Sequence, residues 1–347
     1  MTQQVPETVL ASLNLGLHQA LQEDRNVILL GEDLLDPYGG SFKVTRGLST
    51  RFPDQVWTTP ISEAGITGIA GGMALRGMRP VVEIMFGDFT TLIADQVVNH
   101  LSKFGSMYDQ HVDVPVVIRT PMGGRRGYGP THSQSLEKFF LGVPGLTVIA
   151  PFHLSGKTLI GAPGELLYQT ITKLNSPALF VENKLQYLLK LLSPADMIEY
   201  ETTALPSEGN LDFPFYKLAM QSAPPSQLTL AAYGYMAHLA VVAMKRLAYE
   251  YEVFCDLLVP TILAPFNLEP FYDSVRQTGH LLTIEEGTLS LGWGAEVIAR
   301  TAESLGNALK KSGRVASKGT VVPASHDLEA KCLPDEEEIM TKVLEMV

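Results

Sequence analysis

Cysteine is scarce in this chain. Its 347 residues include two, Cys255 and Cys332, far apart in sequence. No disulfide framework and no cysteine-based metal site can be read from them, which fits a reducing compartment. Positive charge is also short. The 26 Lys and Arg residues stand against 37 Asp and Glu, a formal net charge of −11. Basic patches of the kind that hold nucleic acid or an anionic membrane are therefore not expected. Long apolar runs are missing as well. The longest, 228–244, contains His238 and is shorter than the ~20 residues a bilayer span needs. The opening MTQQVPETVLASL lacks the basic start and apolar core of a signal peptide. A cytoplasmic protein is the expectation, and a processed organellar protein would look the same. Several catalytic signatures are absent too. There is no Walker loop and no Gly-x-Gly-x-x-Gly opening a strand–helix unit. His-Glu-x-x-His and Gly-x-Ser-x-Gly are also missing.

What is present supports a folded core. Hydrophobic residues make up 46% and charged residues 18%, and the length suits about two domains. Short apolar runs alternate with helical patterns. Residues 27–30, 80–85, 114–119, 146–150 and 178–182 read as strands, and 61–75, 93–104, 133–141 and 165–174 as helices. The pattern breaks over 194–227, which is rich in Pro, Ser, Gly and Asn and reads as linker or irregular structure. It then resumes, with strands at 228–232, 253–259 and 280–284 and helices at 237–251, 269–278 and 295–309. A last helix opens with Asp335-Glu336-Glu337-Glu338, negative charge where the helix dipole favours it. The alternation predicts an α/β protein of two doubly wound, mainly parallel domains, at 1–195 and 228–347, joined by a linker at 196–227.

The stretch 58–72, TTPISEAGITGIAGG, places Glu63 at the start of an apolar, glycine-rich helix that reads as buried. A carboxylate there is costly unless it has a partner or a job, because burial disfavours the charged form. Phe86-Gly87-Asp88-Phe89 follows the next strand, and a glycine-rich loop from Gly123 to His132 follows the third. In a parallel sheet the loops after strands share the edge where ligands bind. A carboxylate, an aromatic ring and a histidine can therefore meet there. Each also has an ordinary structural reading. Glu63 suits a helix start, Phe89 a core, His132 a surface turn and Glu32-Asp33 a helix cap. Arg125 and Arg126 suit exposed charges. Gly87-Asp88 is followed by Phe89, so it does not make the Gly-Asp-Gly pattern that holds a magnesium-bound diphosphate. No metal-ligand set is read in this chain.

These residues resemble the β subunit of the thiamine-diphosphate-dependent first component of 2-oxo acid dehydrogenases, of the pyruvate and branched-chain type. The matching stretches are Gly31-Glu32-Asp33 with YGGSFKVT, TTPISEAGITGIAGGMALRGMRPVVE, FGDF with ADQVVNH, VPVVIRTPMGG, GPTHSQSLEKFF and HLLTIEEG with GWGAEVIAR. They cover most of residues 7–300. The resemblance implies a transketolase-like pyrimidine-binding domain plus a transketolase C-terminal-like domain. It implies that Glu63 hydrogen-bonds the ring nitrogen of the cofactor's aminopyrimidine, so that the imino tautomer takes the thiazolium proton. Phe89 would pack on the pyrimidine, and Leu92 would stand beside it. His132 would face the substrate and the acyl transfer to a lipoyl group, and Glu32 would help relay protons between active centres. Thiamine diphosphate would be shared with an α subunit that holds the magnesium, in an α₂β₂ heterotetramer docked on a lipoyl acyltransferase core. A 2-oxo acid would be the substrate.

Departures from the family pattern matter as well. Leu92 stands where pyruvate-type members often have glutamine. Leu174-Asn175-Ser176-Pro177 replaces a segment that helps bind potassium. Residues 154–164 look inserted, 258–261 are Leu-Val-Pro-Thr, and 209–227 are atypical. They leave room for a thiamine-dependent carboligase of the transketolase or acetoin type, or for a non-catalytic scaffold paralogue.

Overall fold

The computed structural model describes residues 6–107, 112–155, 161–193, 195–205 and 213–347. The strands, in chain order, are β1 (Val27–Gly31), β2 (Val56–Thr58), β3 (Arg79–Glu83), β4 (Val117–Met122), β5 (Thr147–Ile149) and β6 (Ala178–Asn183). Then come β7 (Tyr200–Leu205), β8 (Phe215–Met220), β9 (Leu228–Ala232), β10 (Cys255–Pro260), β11 (Ile262–Ala264), β12 (His280–Thr288) and β13 (Lys311–Ser317). They form two sheets. The first runs β11-β5-β6-β4-β3-β1-β2 and the second β13-β12-β9-β10-β8-β7. Pairing from β1 through β6 is parallel, and so is pairing among β9, β10, β12 and β13. The α/β architecture expected from the alternation is therefore present in both halves. Strands β1, β4 and β9 are buried along their whole length, as strands covered on both faces must be.

Three expectations differ from the structure. The segment 196–227 does not run as a linker throughout. Its described residues include β7 and β8, an antiparallel pair that joins the second sheet beside β10. The buried Phe215, Tyr216 and Leu218 give the pair its reason to dock, which the surrounding Pro and Ser residues mask in sequence. Residues 206–212 and 194 lie outside the described residues, as do 156–160 of the inserted-looking stretch and the first five residues of the chain. The helix expected over 133–141 is only a 3₁₀ turn, Glu137–Phe139. There the second domain overrides local preference: Tyr233 donates to Glu137, and Lys138 donates to Thr288 and to the Ser290 carbonyl. The helix expected over 93–104 is broken into a 3₁₀ stretch Gly87–Ile93, a π-helical stretch Gln96–Leu101 and a short α-turn Phe104–Met107.

One helix gave no readable signal. Val9–Glu23 is capped by the Thr8 hydroxyl, which accepts from the Ala11 N–H at 3.2 Å. It packs on the Pro163–Lys173 helix through facing glycines. A Cβ on Gly16 would fall 2.1 Å from the Gly164 carbonyl oxygen, so only glycine lets the two backbones meet.

Under the ligand edge of the first sheet lies a buried ionic network. Arg119 on β4 is 1% exposed. Its guanidinium donates to both oxygens of Glu182 on β6, at 2.8 and 2.6 Å, and to Glu83 on β3. Tyr187 donates to Glu182 at 2.6 Å. Burial pushes the Glu83 carboxyl up, and Arg119 opposes that shift. Gly40, at φ 76°, passes so close to Glu83 that a Cβ there would lie 2.8 Å from its carboxylate oxygen. The turn after β1 is thus laid directly over the network. Removing one partner of such a cluster strands the other charges in a dry site. Arg119→Met is expected to cost about 3–5 kcal/mol of unfolding free energy, read from the midpoint and slope of urea denaturation. A loss under ~1 kcal/mol would mean that the network is not buried as described.

Candidate active site

The strands β1, β2, β3, β4 and β6 run parallel, so their C-terminal ends lie along one edge. Glu32 follows β1, and the turn after β2 leads to Glu63. Phe86 to Phe89 follow β3, the Gly123-to-His132 loop follows β4, and Lys184 follows β6.

Glu32 and Glu63 face one another closely enough for their charges to interact, and each is only 8% exposed. Burial first, and then the Glu63 charge, pushes the Glu32 carboxyl above its ordinary range, while the Ser62 N–H opposes by bonding the carboxylate. One Glu32 oxygen is buried without a hydrogen-bond partner. Glu63 is the first residue of the Glu63–Ala74 helix, where the dipole favours negative charge. Its backbone carbonyl accepts from the Thr67 hydroxyl at 2.8 Å. Among the described residues its carboxyl accepts no hydrogen bond.

The same sheet edge carries a cluster of rings. Phe89 lies in the 3₁₀ stretch Gly87–Ile93, which is tightened by the Thr90 and Thr91 hydroxyls bonding the Gly87 and Asp88 carbonyls at 2.6 and 2.9 Å. The Glu63–Ala74 helix packs against that stretch. The His132 imidazole sits edge-on to Phe86 at 4.6 Å and to Phe89 at 5.3 Å. Phe86 also meets Phe42 at 5.6 Å and Tyr128 at 5.9 Å. Leu92 comes three residues after Phe89 and so lies above it on the same side of a 3₁₀ turn. It is 54% exposed, an apolar side chain open at the edge.

The loop that carries His132 is held from the second domain. Glu286 accepts from the Gly124 N–H at 2.6 Å and from the Asn183 side chain at 3.0 Å. Glu329 accepts from the N–H groups of Arg125 and Gly127 at 2.8 and 3.0 Å. The Arg125 guanidinium donates to the Pro334 carbonyl, and that of Arg126 to the Lys184 carbonyl at 3.1 Å. Both arginine side chains thus tie the loop to backbone carbonyls elsewhere in the chain. The structure groups Glu32 with Glu63 and Phe89 with His132. A nearly buried carboxyl pair, one oxygen of it without a partner, at the same sheet edge as a ring cluster on a stretch packed against the Glu63–Ala74 helix, suits a flat heteroaromatic ring that offers a nitrogen to a carboxyl. Among the described residues no three His, Cys, Asp or Glu side chains are placed to hold a metal ion.

Comparison with known proteins gives the family. The transketolase pyrimidine-binding domain family matches residues 8–187, and the transketolase C-terminal domain family matches 218–339. The chain is 30% identical over 335 residues to the pyruvate dehydrogenase E1 component subunit beta-1, mitochondrial, of Arabidopsis thaliana, covering 96% of this chain and 87% of that one. The chain belongs to the family of β subunits of 2-oxo acid dehydrogenase first components. The Bos taurus pyruvate dehydrogenase E1 β subunit is 32% identical, with 94% of this chain and 86% of that one covered. The β subunit of acetoin:2,6-dichlorophenolindophenol oxidoreductase from Cupriavidus necator is 31% identical, with 94% of each covered. Among solved structures, one described as a split gene transketolase, inactive beta4 tetramer, superposes with a TM-score of 0.71. It is 17% identical and covers 98% of this chain and 97% of its own, a likeness of fold.

Within this β-subunit fold, sequence reasoning overlooked Lys184, Arg119, Glu286 and Glu329. Two consecutive glutamates ending an apolar strand, Glu285-Glu286, were the signal available for the last group. Glu285 accepts from the N–H groups of Trp293 and Gly294 at 2.7 and 2.9 Å, at the start of the Trp293–Leu305 helix. Burial pushes its carboxyl up to about 7, Glu137 adds to the shift, and the two N–H groups and Arg314 oppose it. A folded-state value above the unfolded one gives stability that is complete below pH ~4.5 and is lost as pH rises through about 7. Glu285→Gln removes this dependence. The stability gap between variant and parent, read by urea denaturation from pH 4.5 to 8, is expected to move in the variant's favour by roughly 3 kcal/mol. A gap that does not change with pH contradicts it.

Proposed function

We propose that this β subunit supplies the aminopyrimidine half of a thiamine-diphosphate site shared with a separate α subunit. The enzyme they form decarboxylates a 2-oxo acid oxidatively and passes the acyl group to a lipoyl carrier. The observation that carries this reading is the pairing of Glu63 with Glu32, two residues each 8% exposed: one Glu32 oxygen is buried without a hydrogen-bond partner, and the Glu63 carboxyl accepts no protein hydrogen bond among the described residues. A carboxyl pair short of protein partners is matched to a ligand that completes its hydrogen bonding.

When bound, thiamine diphosphate supplies a nucleophilic thiazolium carbon and a sink for the electrons left by decarboxylation. Glu63 would hold the pyrimidine ring nitrogen through a hydrogen bond to its carboxyl. Glu32, whose own carboxyl is pushed up by burial and by Glu63, is suited to hold a proton next to that bond. Phe89 offers a ring to the pyrimidine, a contact worth about 0.5–1.5 kcal/mol beyond burial. Leu92 extends the apolar cover, and His132 presents an imidazole toward the reacting end. The α subunit holds magnesium and the diphosphate, in an α₂β₂ assembly on a lipoyl acyltransferase core.

A second reading has its own support. The acetoin:2,6-dichlorophenolindophenol oxidoreductase β subunits of Cupriavidus necator and Bacillus subtilis match as well as the pyruvate dehydrogenase subunits do. Acetoin cleavage would use the same pyrimidine half without a 2-oxo acid. Among the described residues no helix is long and apolar enough to cross a membrane. Several relatives are named as mitochondrial. We place this chain in the cytoplasm or an organellar matrix.

The test is purification of the tagged chain with its partner from the native cell, followed by turnover of 2-oxo acids and of acetoin with dichlorophenolindophenol as acceptor. Recovery of an α chain with thiamine diphosphate and 2-oxo acid decarboxylation is expected. Acetoin turnover alone selects the second reading, and a chain recovered without partner or cofactor defeats both. In the active complex Glu63→Gln is expected to lower kcat at least ~100-fold with assembly intact. Unchanged turnover would remove the role given to Glu63.

A further inference from the structure

Lys184, the residue after β6, has no exposed surface, which is unusual for a lysine. Its ammonium lies 5.2 Å from the Phe86 ring centre and 5.6 Å from that of Tyr128, and it donates a hydrogen bond to the His132 backbone carbonyl. Among the described residues no carboxylate comes within ion-pair distance of it. Asp88, Glu286 and Glu329 act on it at longer range. Burial pushes its pKa down to about 8, so the charge is kept here against a desolvation cost. Both neighbours of the ammonium belong to the site: Phe86 carries the imidazole edge-on, and His132 owns the carbonyl. The strand end is itself tied to the same loop, because Arg126 bonds the Lys184 carbonyl and Asn183 bonds Glu286.

We propose that Lys184 is a positioning residue for His132: its ammonium, enclosed by Phe86 and Tyr128, pins the backbone of the glycine-rich loop and so fixes where the imidazole stands. The loop needs such a pin. Gly123, Arg125, Gly127 and Gly129 all have positive φ, so the segment lacks a regular hydrogen-bond ladder of its own. The second domain holds its N-terminal part through Glu286 and Glu329. Lys184 holds the end where His132 lies. A fully buried ammonium cannot itself reach substrate, so its effect on chemistry passes through His132. The kinetic part of this inference rests on the function proposed above, and the structural part does not.

Two variants of the full chain test it, Lys184→Met and Lys184→Arg. Peptide-resolved amide hydrogen exchange on the purified chain is expected to show about tenfold or faster exchange over 123–134 in K184M. Exchange in the Val9–Glu23 helix should not change, and K184R should restore most of the protection. In the assembled enzyme K184M should lower kcat about tenfold or more, since small displacements of a catalytic group are costly. The KM for substrate and the affinity for thiamine diphosphate should stay within twofold. Unchanged exchange over 123–134, or a general rise across the chain, overturns the inference. So does a KM effect with kcat intact, or a K184R variant that behaves like K184M. If the unmutated complex shows no turnover, the functional reading has failed, and the exchange experiment still decides the role of Lys184. Should K184M not fold, Tyr128→Leu at a part-exposed position removes one ring of the enclosure. It is expected to speed exchange in the same loop, and protection equal to the parent's would count against the proposal.

Discussion

Three neighbouring strands of the first sheet are tied together by one guanidinium. Arg119 on β4 reaches Glu83 on β3 and Glu182 on β6, and Tyr187 closes the network from the turn after β6. Each of these strands then delivers a residue to the ligand edge: Phe86 and Phe89, His132, and Lys184. A shift of any strand by one residue would bring the opposite face inward and leave buried charges unpaired. The network therefore favours one register, and the edge inherits its spacing. A buried ion pair of this kind adds little net stability compared with an apolar replacement. Its value here is in specifying geometry.

The site is also a joint product of the two halves of the chain. Glu32, Glu63 and Phe89 are placed by elements of the first sheet. The loop that carries His132 is held in its N-terminal part by glutamates and a backbone carbonyl from the second domain. The two acids that grip the loop act as anion partners for backbone N–H groups, so they hold a glycine-rich segment that has little conformational preference of its own. Glu137 and Tyr233 add another cross-domain hydrogen bond, and Glu285 organises the start of the helix beneath it.

Much of this was legible in the sequence, for definable reasons. Strands covered on both faces must be continuous apolar runs, and β1, β4, β6, β9 and β10 read as such. The edge residues Glu63, Phe89 and His132 stood out because each follows a strand, and parallel strands put their ends together. What escaped notice depends on contacts between distant residues. The helix Val9–Glu23 is seated by Gly16 against Gly164, over 140 residues away. Residues 133–141 have helical spacing but are drawn out by Tyr233 and by the backbone at Ser290. The strands β7 and β8 sit among prolines and serines, and their pairing across the sheet edge is a tertiary fact. Nothing local to Lys184 announces that two aromatic rings will lie over its ammonium.

One crossing of the chain has a consequence for how this protein can be divided. Strand β11 follows β10 after a single residue, Thr261, yet it leaves the second sheet and pairs antiparallel with β5 at the margin of the first. The N-terminal half expressed by itself would therefore end with β5 bare, presenting unpaired N–H and C=O groups to any passing strand. The halves match different family models, but the first sheet is finished by a strand from the second half. A gene split near residue 227 would yield two fragments that have to find one another during folding, and the first of them would be prone to aggregate while it waited.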